Sequence, residues 1–187
     1  MEEEIELFLE DADEHMDKSV QHFSHELIKI RAGKASPSML ESIKVDYYGV
    51  ATPLNQMSSI TTPDARTLFI KPWEKSVIMD IERAIINSDL GLNPQNDGEQ
   101  VIINVPTLTE ERRQTLVKQV KHEGELAKVS IRNIRKDAND SFKKLLKEGA
   151  SEDAIKLAED KTQKLTDDHI KKIDDLIHKK ETDIMHV

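Results

Sequence analysis

The chain has 187 residues, of which 34% are charged and 4% aromatic, with no cysteine and a formal net charge of −9. That length is one large domain or two small ones, and the scarcity of aromatics favours elongated helices over one large core. Disulfides and thiolate chemistry are excluded, and an acidic total argues against nucleic-acid binding unless positive charge is gathered in one place.

No apolar run approaches the roughly 20 residues of a membrane span. The first residues, Met1-Glu2-Glu3-Glu4, are acidic where a signal or transit peptide is basic. The expectation is a soluble, cytoplasmic protein with no membrane contact.

Residues 2–31 read as a helix. Ile5, Phe8, Ala12, Met16, Val20, Phe23, Leu27 and Ile30 recur at spacings of three and four. Gly33 and Pro37 end it. From residue 38 the character changes. Ser42–Tyr48, Thr67–Lys71 and Gln100–Val105 are rich in β-branched and aromatic residues and stop at Gly49, Pro72 and Pro106. They read as strands, with weaker candidates at Thr52–Leu54 and Ser58–Thr61. Lys75–Ser88 reads as a helix, and Trp73 as part of a lobe core rather than a stacking platform. Residues 107–147 then form the longest helix, opened by Thr107-Leu108-Thr109-Glu110 as a capping box. Gly149 stops it. Ser151-Glu152-Asp153 opens a last helix whose apolar row is Ile155, Ala158, Leu165, Ile170, Ile173, Ile177 and Ile184.

None of the three long helices can bury its stripe alone, but together they form a three-helix bundle. The fold class is therefore α+β with two domains. Residues 1–31 and 106–187 make the bundle, and residues 32–105 make an inserted, β-rich lobe at one end. Two short connections join them. Ala32, Gly33, Lys34, Ala35, Ser36 and Pro37 form the outgoing one, and Val105 and Pro106 the returning one. Proline fixes its own φ and biases its predecessor away from helix, which suits a partly stiff hinge.

The positive charge is gathered in one place. Residues 107–147 hold eleven basic and six acidic side chains, net +5, while residues 1–30 are net −8. Lys118, Lys121, Lys128, Arg132, Arg135 and Asn139 share one helical row, interrupted only by Glu125. The row one residue back is Val117, Val120, Gly124, Ala127, Ile131, Ile134 and Ala138, which reads as a buried seam. At about 100° per residue the cationic row lies beside that seam, on the surface. Such a rail on an anionic body suits a polyanionic partner. The competing reading is an ordinary solvated face.

Catalytic and metal patterns are missing from the sequence. His25-Glu26 and His122-Glu123 begin like the zinc-protease motif, but Lys29 and Leu126 stand where its second histidine would be. The seven histidines form no constellation by spacing, and the expectation is no metal, no cofactor and no enzyme activity.

Four strings carry a resemblance. They are Lys29-Ile30-Arg31-Ala32-Gly33-Lys34-Ala35-Ser36-Pro37, Ser88-Asp89-Leu90-Gly91-Leu92-Asn93-Pro94, Leu108-Thr109-Glu110-Glu111-Arg112-Arg113, and Ile131-Arg132-Asn133-Ile134-Arg135-Lys136-Asp137-Ala138-Asn139-Asp140. In this order they resemble the ribosome recycling factor family over the whole chain. The resemblance implies an L-shaped monomer that binds the post-termination ribosome and acts with elongation factor G and GTP. Subunits then separate, and mRNA and tRNA are released. It implies contact with large-subunit rRNA, chiefly through Arg132 and Arg135. Lys118, Lys121, Lys128, Asn133, Lys136 and Arg31 complete the expected rRNA-binding set. Lys34 and Lys136 stand where the family has arginine, which keeps charge but loses the bidentate fork. A coiled-coil adaptor or chaperone that binds proteins is the alternative from another class. An RNA-processing enzyme is a third reading, opposed by the missing catalytic pattern.

Overall fold

The computed structural model describes residues 1–186. The chain divides into two compact units. One comprises Met1–Ala32 with the chain from Glu110 onward, and the other is Gly33–Thr109. It has the α+β, two-domain organisation expected of its pattern.

The first unit packs three helices, α1 (Glu2–Lys29), α4 (Glu110–Lys147) and α5 (Glu152–Met185), each against both others. α1 is two residues shorter than the pattern suggests, because Ile30 is already extended at φ −85° and ψ 105°. Its buried stripe is Ile5, Leu9, Ala12, Met16, Phe23 and Leu27, with Ile30 just beyond the helix. Leu9 is buried where Phe8 was expected, and Phe8 packs edge-on against buried Phe142 of α4, with ring centroids 6.3 Å apart. α4 begins at Glu110, so Thr107 lies too far upstream to cap it. At the α4–α5 turn Gly149 adopts φ +107°, and the Ala150 N–H donates back to the Leu145 carbonyl at 3.0 Å. Ser151 caps α5, its Oγ accepting from the Ala154 N–H at 3.1 Å.

One position decides how closely these helices approach. Gly124 lies buried in mid-α4, where glycine costs about 1 kcal/mol relative to alanine. A Cβ there would overlap Ile177 Cδ1 of α5 and lie 2.9 Å from its Cγ1, with Phe23 Cζ of α1 at 3.6 Å. The α5 side of the seam is partly polar. Thr162, Thr166 and His169 are buried, and both threonine hydroxyls donate to carbonyls one turn back, at 2.9 and 2.8 Å.

The second unit has its own core of Leu40, Ile43, Val45, Leu54, Leu68, Ile70, Ile81, Ile85, Val101 and Ile103, among others. Its four-stranded antiparallel sheet has the order β3 (Ser58–Asp64), β4 (Thr67–Pro72), β6 (Val101–Asn104), β5 (Pro94–Asn96). A separate hairpin, β1 (Lys44–Tyr47) and β2 (Val50–Pro53), turns through Tyr48 and Gly49, both at positive φ, as a two-residue turn of right-twisting strands requires. A one-turn helix α2 (Leu54–Met57) and the helix α3 (Ile78–Ile86) complete the lobe. α2 and β5 have no counterpart in the sequence reading, being too short to show a period. Trp73 does not join the core: it is 70% exposed, and its backbone N–H donates to the Met57 carbonyl at 3.2 Å.

The lobe's two ends meet on one turn. The Ala35 N–H donates to the Ala65 carbonyl at 2.8 Å, and the Val105 N–H donates to the Arg66 carbonyl at 2.7 Å. Residues 106–109 therefore belong with the lobe rather than the bundle. Leu108 packs over Gly33, whose φ is +76° and whose added Cβ would lie 2.6 Å from Leu108 Cγ.

Two substitutions test this packing. Gly124→Ala should destabilise the protein by about 1–2 kcal/mol in thermal unfolding, overpacking outweighing the propensity gain. A raised melting temperature would show that the helices can move apart freely. Gly33→Ala should destabilise by about 1 kcal/mol through the strained φ and the Leu108 clash, and the added change Leu108→Ala should recover part of that loss in a double-mutant cycle.

Candidate nucleic-acid interface on the fourth helix

The seam of α4 lies where its spacing puts it. Val120, Gly124, Ala127, Ile131 and Ala138 are buried, joined by Leu116, Phe142 and Leu145, while Val117 and Ile134 are half-buried. The cationic row follows one residue later, and its members divide into two sets with a period of seven.

One set leans onto α5. Lys121 Nζ lies 3.8 Å from Glu181 Oε1, and Arg135 Nη1 donates to Gln163 Oε1 at 3.2 Å. Lys128, its side chain only 15% exposed, pairs with Asp174 at 2.5 Å and with Glu125 at 3.6 Å. The Asp174 hydrogen bond, with the charge of that carboxylate and of Glu125, raises the Lys128 pKa against the opposing effect of burial. A lysine so placed is tied across two helices.

In the other set, Lys118 and Arg132 are exposed, and beside the row Asn133 and Lys136 are exposed too. A guanidinium with its donors open is suited to bidentate phosphate contact. Asn139, at the end of the row, is half-buried, and its Oδ1 is sealed from solvent without a hydrogen-bond partner. Arg31 is exposed just past the end of α1. The antiparallel register set by the Ser19–Ser130 hydroxyl contact, 3.0 Å, puts the end of α1 near the Lys118 end of α4. That is about 20 Å along the axis from Arg132. The eight cationic and polar residues read from the sequence thus do not form one cluster. Arg132, Asn133 and Lys136 make a compact exposed group, Lys118 and Arg31 lie toward one end, and Lys121, Lys128 and Arg135 border α5.

Among the connecting residues, Ser36 caps a short 3-10 turn (Pro37–Leu40) by accepting from the Ser38 N–H at 3.4 Å, and Ala35 and Val105 are tied to the β3–β4 turn. Ala32, Gly33 and Lys34 on one side, and Pro106 to Thr109 on the other, lie outside the regular elements.

The fold also gathers a group the sequence did not reveal. His169 of α5 sits with Asp13 and Asp17 of α1, its Nε2 being 2.8 Å from Asp17 Oδ1 and 3.3 Å from Asp13 Oδ1. Spacing could not show it, since about 150 residues separate the partners; the one hint was a histidine on the apolar face of α5.

The comparisons with known proteins agree on one family. Residues 23–185 match the family described as Ribosome recycling factor. The ribosome-recycling factor of Amoebophilus asiaticus is 60% identical over 161 residues, 86% of this chain and 87% of that protein. That of Cytophaga hutchinsonii is 56% identical over the same shares. A solution structure of the ribosome recycling factor superposes with a TM-score of 0.76 at 38% identity, covering 98% of each chain. A second structure, described as models for the T. thermophilus ribosome recycling factor and the E. coli elongation factor G bound to the E. coli post-termination complex, matches with a TM-score of 0.62 at 46% identity over 97% of this chain and 98% of that one. With its pattern, both units and nearly its whole length shared, this chain belongs to the ribosome recycling factor family.

Proposed function

We propose that this protein recycles ribosomes. It binds the post-termination ribosome and, with elongation factor G and GTP, promotes separation of the subunits and release of mRNA and tRNA. The observation that carries this reading is the nearly full-length likeness, at 46% identity, to a structure described with elongation factor G on the post-termination complex. It acts in the cytoplasm as a monomer, with no chemistry of its own, the GTP being hydrolysed by the partner. The test is splitting of purified post-termination ribosomes. Subunits should separate only when this protein, elongation factor G and GTP are all present. Separation without the GTPase, or none with it, would overturn the proposal.

The bundle makes the rRNA contact through Arg132, Asn133 and Lys136, backed by Arg135, with Lys118 and Arg31 toward one end. Rigid helices hold these groups without further ordering, and backbone-directed contacts read RNA shape rather than sequence. Acidic surfaces elsewhere oppose nonspecific adhesion. The division of the stripe gives a sharp comparison. Arg132→Ala should weaken ribosome binding and lower its salt slope by about one while leaving the melting temperature unchanged. Lys128→Ala should do the reverse, lowering stability by about 1 kcal/mol with little change in affinity. Matching effects of the two substitutions would argue against a division of labour.

The lobe transmits force from the GTPase, pivoting at Ala32–Lys34 and Pro106–Thr109. The ties of Ala35 and Val105 to one turn make it move as a unit. Because the chain has no cysteine, one engineered pair can crosslink lobe to bundle without competition. The locked protein should bind post-termination ribosomes normally but split them slowly with elongation factor G. Splitting at the normal rate would remove the mechanical role.

A further inference from the structure

His169 is a buried polar residue outside the exposed basic group of α4. It is 2% exposed, at a seam position of α5. Its Nδ1 lies 2.6 Å from the Leu165 carbonyl oxygen, which can only accept, so Nδ1 carries a proton. Nε2 then faces Asp17 Oδ1 at 2.8 Å and Asp13 Oδ1 at 3.3 Å, two carboxylates one helical turn apart on α1. A bare nitrogen lone pair aimed at two anions is repulsive. Something positive must lie between them, and there are two candidates: a proton on Nε2, or a metal ion.

The geometry accommodates the ion. Two ligands about 2.1 Å from one divalent ion are about 3.0 Å apart at a right angle and about 3.4 Å apart at the tetrahedral angle. The Asp13 separation, 3.3 Å, falls in this interval, and the Asp17 separation, 2.8 Å, lies just below it. The tie from Nδ1–H to a backbone carbonyl is the outer support that metal-bound histidines use to fix their tautomer and aim the other nitrogen. Asp13 and Asp17 have side chains 50% and 49% exposed, which leaves an entry path and room for water ligands on the solvent side. The facing charges are Lys172, whose Nζ is 3.6 Å from Asp17 Oδ1 and whose side chain is 57% exposed, and the two carboxylates themselves. Lys172 is free to swing outward as an ion takes over its role.

We propose that Asp13, Asp17 and His169 form a site for a divalent first-row metal ion of the zinc, cobalt or manganese class, clipping α1 to α5. One imidazole nitrogen with two carboxylate oxygens suits such ions better than calcium or magnesium, which prefer all-oxygen shells. On binding, the ion forms a bond to Nε2, and any proton on that nitrogen leaves to solvent. The site needs no thiolate and no substrate, and its role is to join helices.

The experiment is calorimetric titration of the full chain with zinc chloride at pH 7.5, in two buffers of different ionisation enthalpy, with thermal unfolding alongside. One ion should bind per chain and raise the melting temperature, and any heat that differs between the two buffers reports protons displaced on binding. Asp13→Asn, at a half-exposed position, should retain the fold by circular dichroism and weaken zinc binding about tenfold or more. Asp17→Asn should do the same. No binding up to about 1 mM zinc would mean that Nε2 holds only a proton. Binding undiminished in both variants would assign the ion to other histidines, such as His22 and His25. Either result overturns the site.

Discussion

Close approach of three helices at Gly124 is the constraint on which the bundle depends. α4 presents small residues along its seam, Gly124, Ala127 and Ala138, and larger ones at intervals, Val120, Ile131 and Phe142. Ile177 of α5 occupies the space a Cβ would take at Gly124, and Phe23 of α1 closes the same layer. A glycine in mid-helix lowers helix stability in isolation, so the position is favourable only because dispersion contacts replace what the backbone loses. The same close approach brings the acidic edge of α5 within reach of the row beside the seam. Lys128 meets Asp174, and Arg135 meets Gln163, because the helices are near enough for these side chains to span the gap.

Electrostatics in the bundle therefore works at two depths. Near the seam, ionic and polar groups are matched in pairs: Lys128 with Asp174, and His169 with Asp13 and Asp17. Partly buried pairs of this kind do little for net stability relative to apolar packing, but removing one partner strands the other, which fixes the register of the helices. Farther out, Arg132 and Lys136 are exposed on a helix whose positive excess stands against an acidic chain. A surface cation is only weakly bound by its neighbours, and this leaves it available to a polyanion whose charge density far exceeds that of any side chain.

Much of this was legible in the sequence, for a physical reason that differs by element. The long helices announce themselves because a period of 3.6 repeats many times over 28, 38 and 34 residues. β4 and β6, buried on the inner side of the sheet, show as apolar runs bounded by Pro72 and Pro106. β5, three residues reading Pro-Gln-Asn, has no period to show, and its pairing with β6 is a tertiary fact. Trp73 misled because aromatic character usually signals burial; the residue follows the end of β4, and the chain turns it outward. The cationic row was legible as a row, but which of its members face α5 depends on the angle between two helices. The aspartate–histidine group was illegible for the same reason, since only the packed bundle brings residue 169 to residues 13 and 17.

The bundle is discontinuous in the chain, with the whole lobe between its first helix and the other two. During synthesis, at about 5–20 residues per second, the roughly 155 residues between the end of α1 and the end of α5 take about 8–30 s to appear. Until α4 emerges, α1 has no partner for Met16 or Phe23, while the lobe, contiguous and with a core of its own, can fold first. The acidic first half of α1 is then more than an anionic surface. Ten carboxylates in its 28 residues keep a lone amphipathic helix soluble and discourage it from pairing with another nascent copy of itself until α4 and α5 arrive.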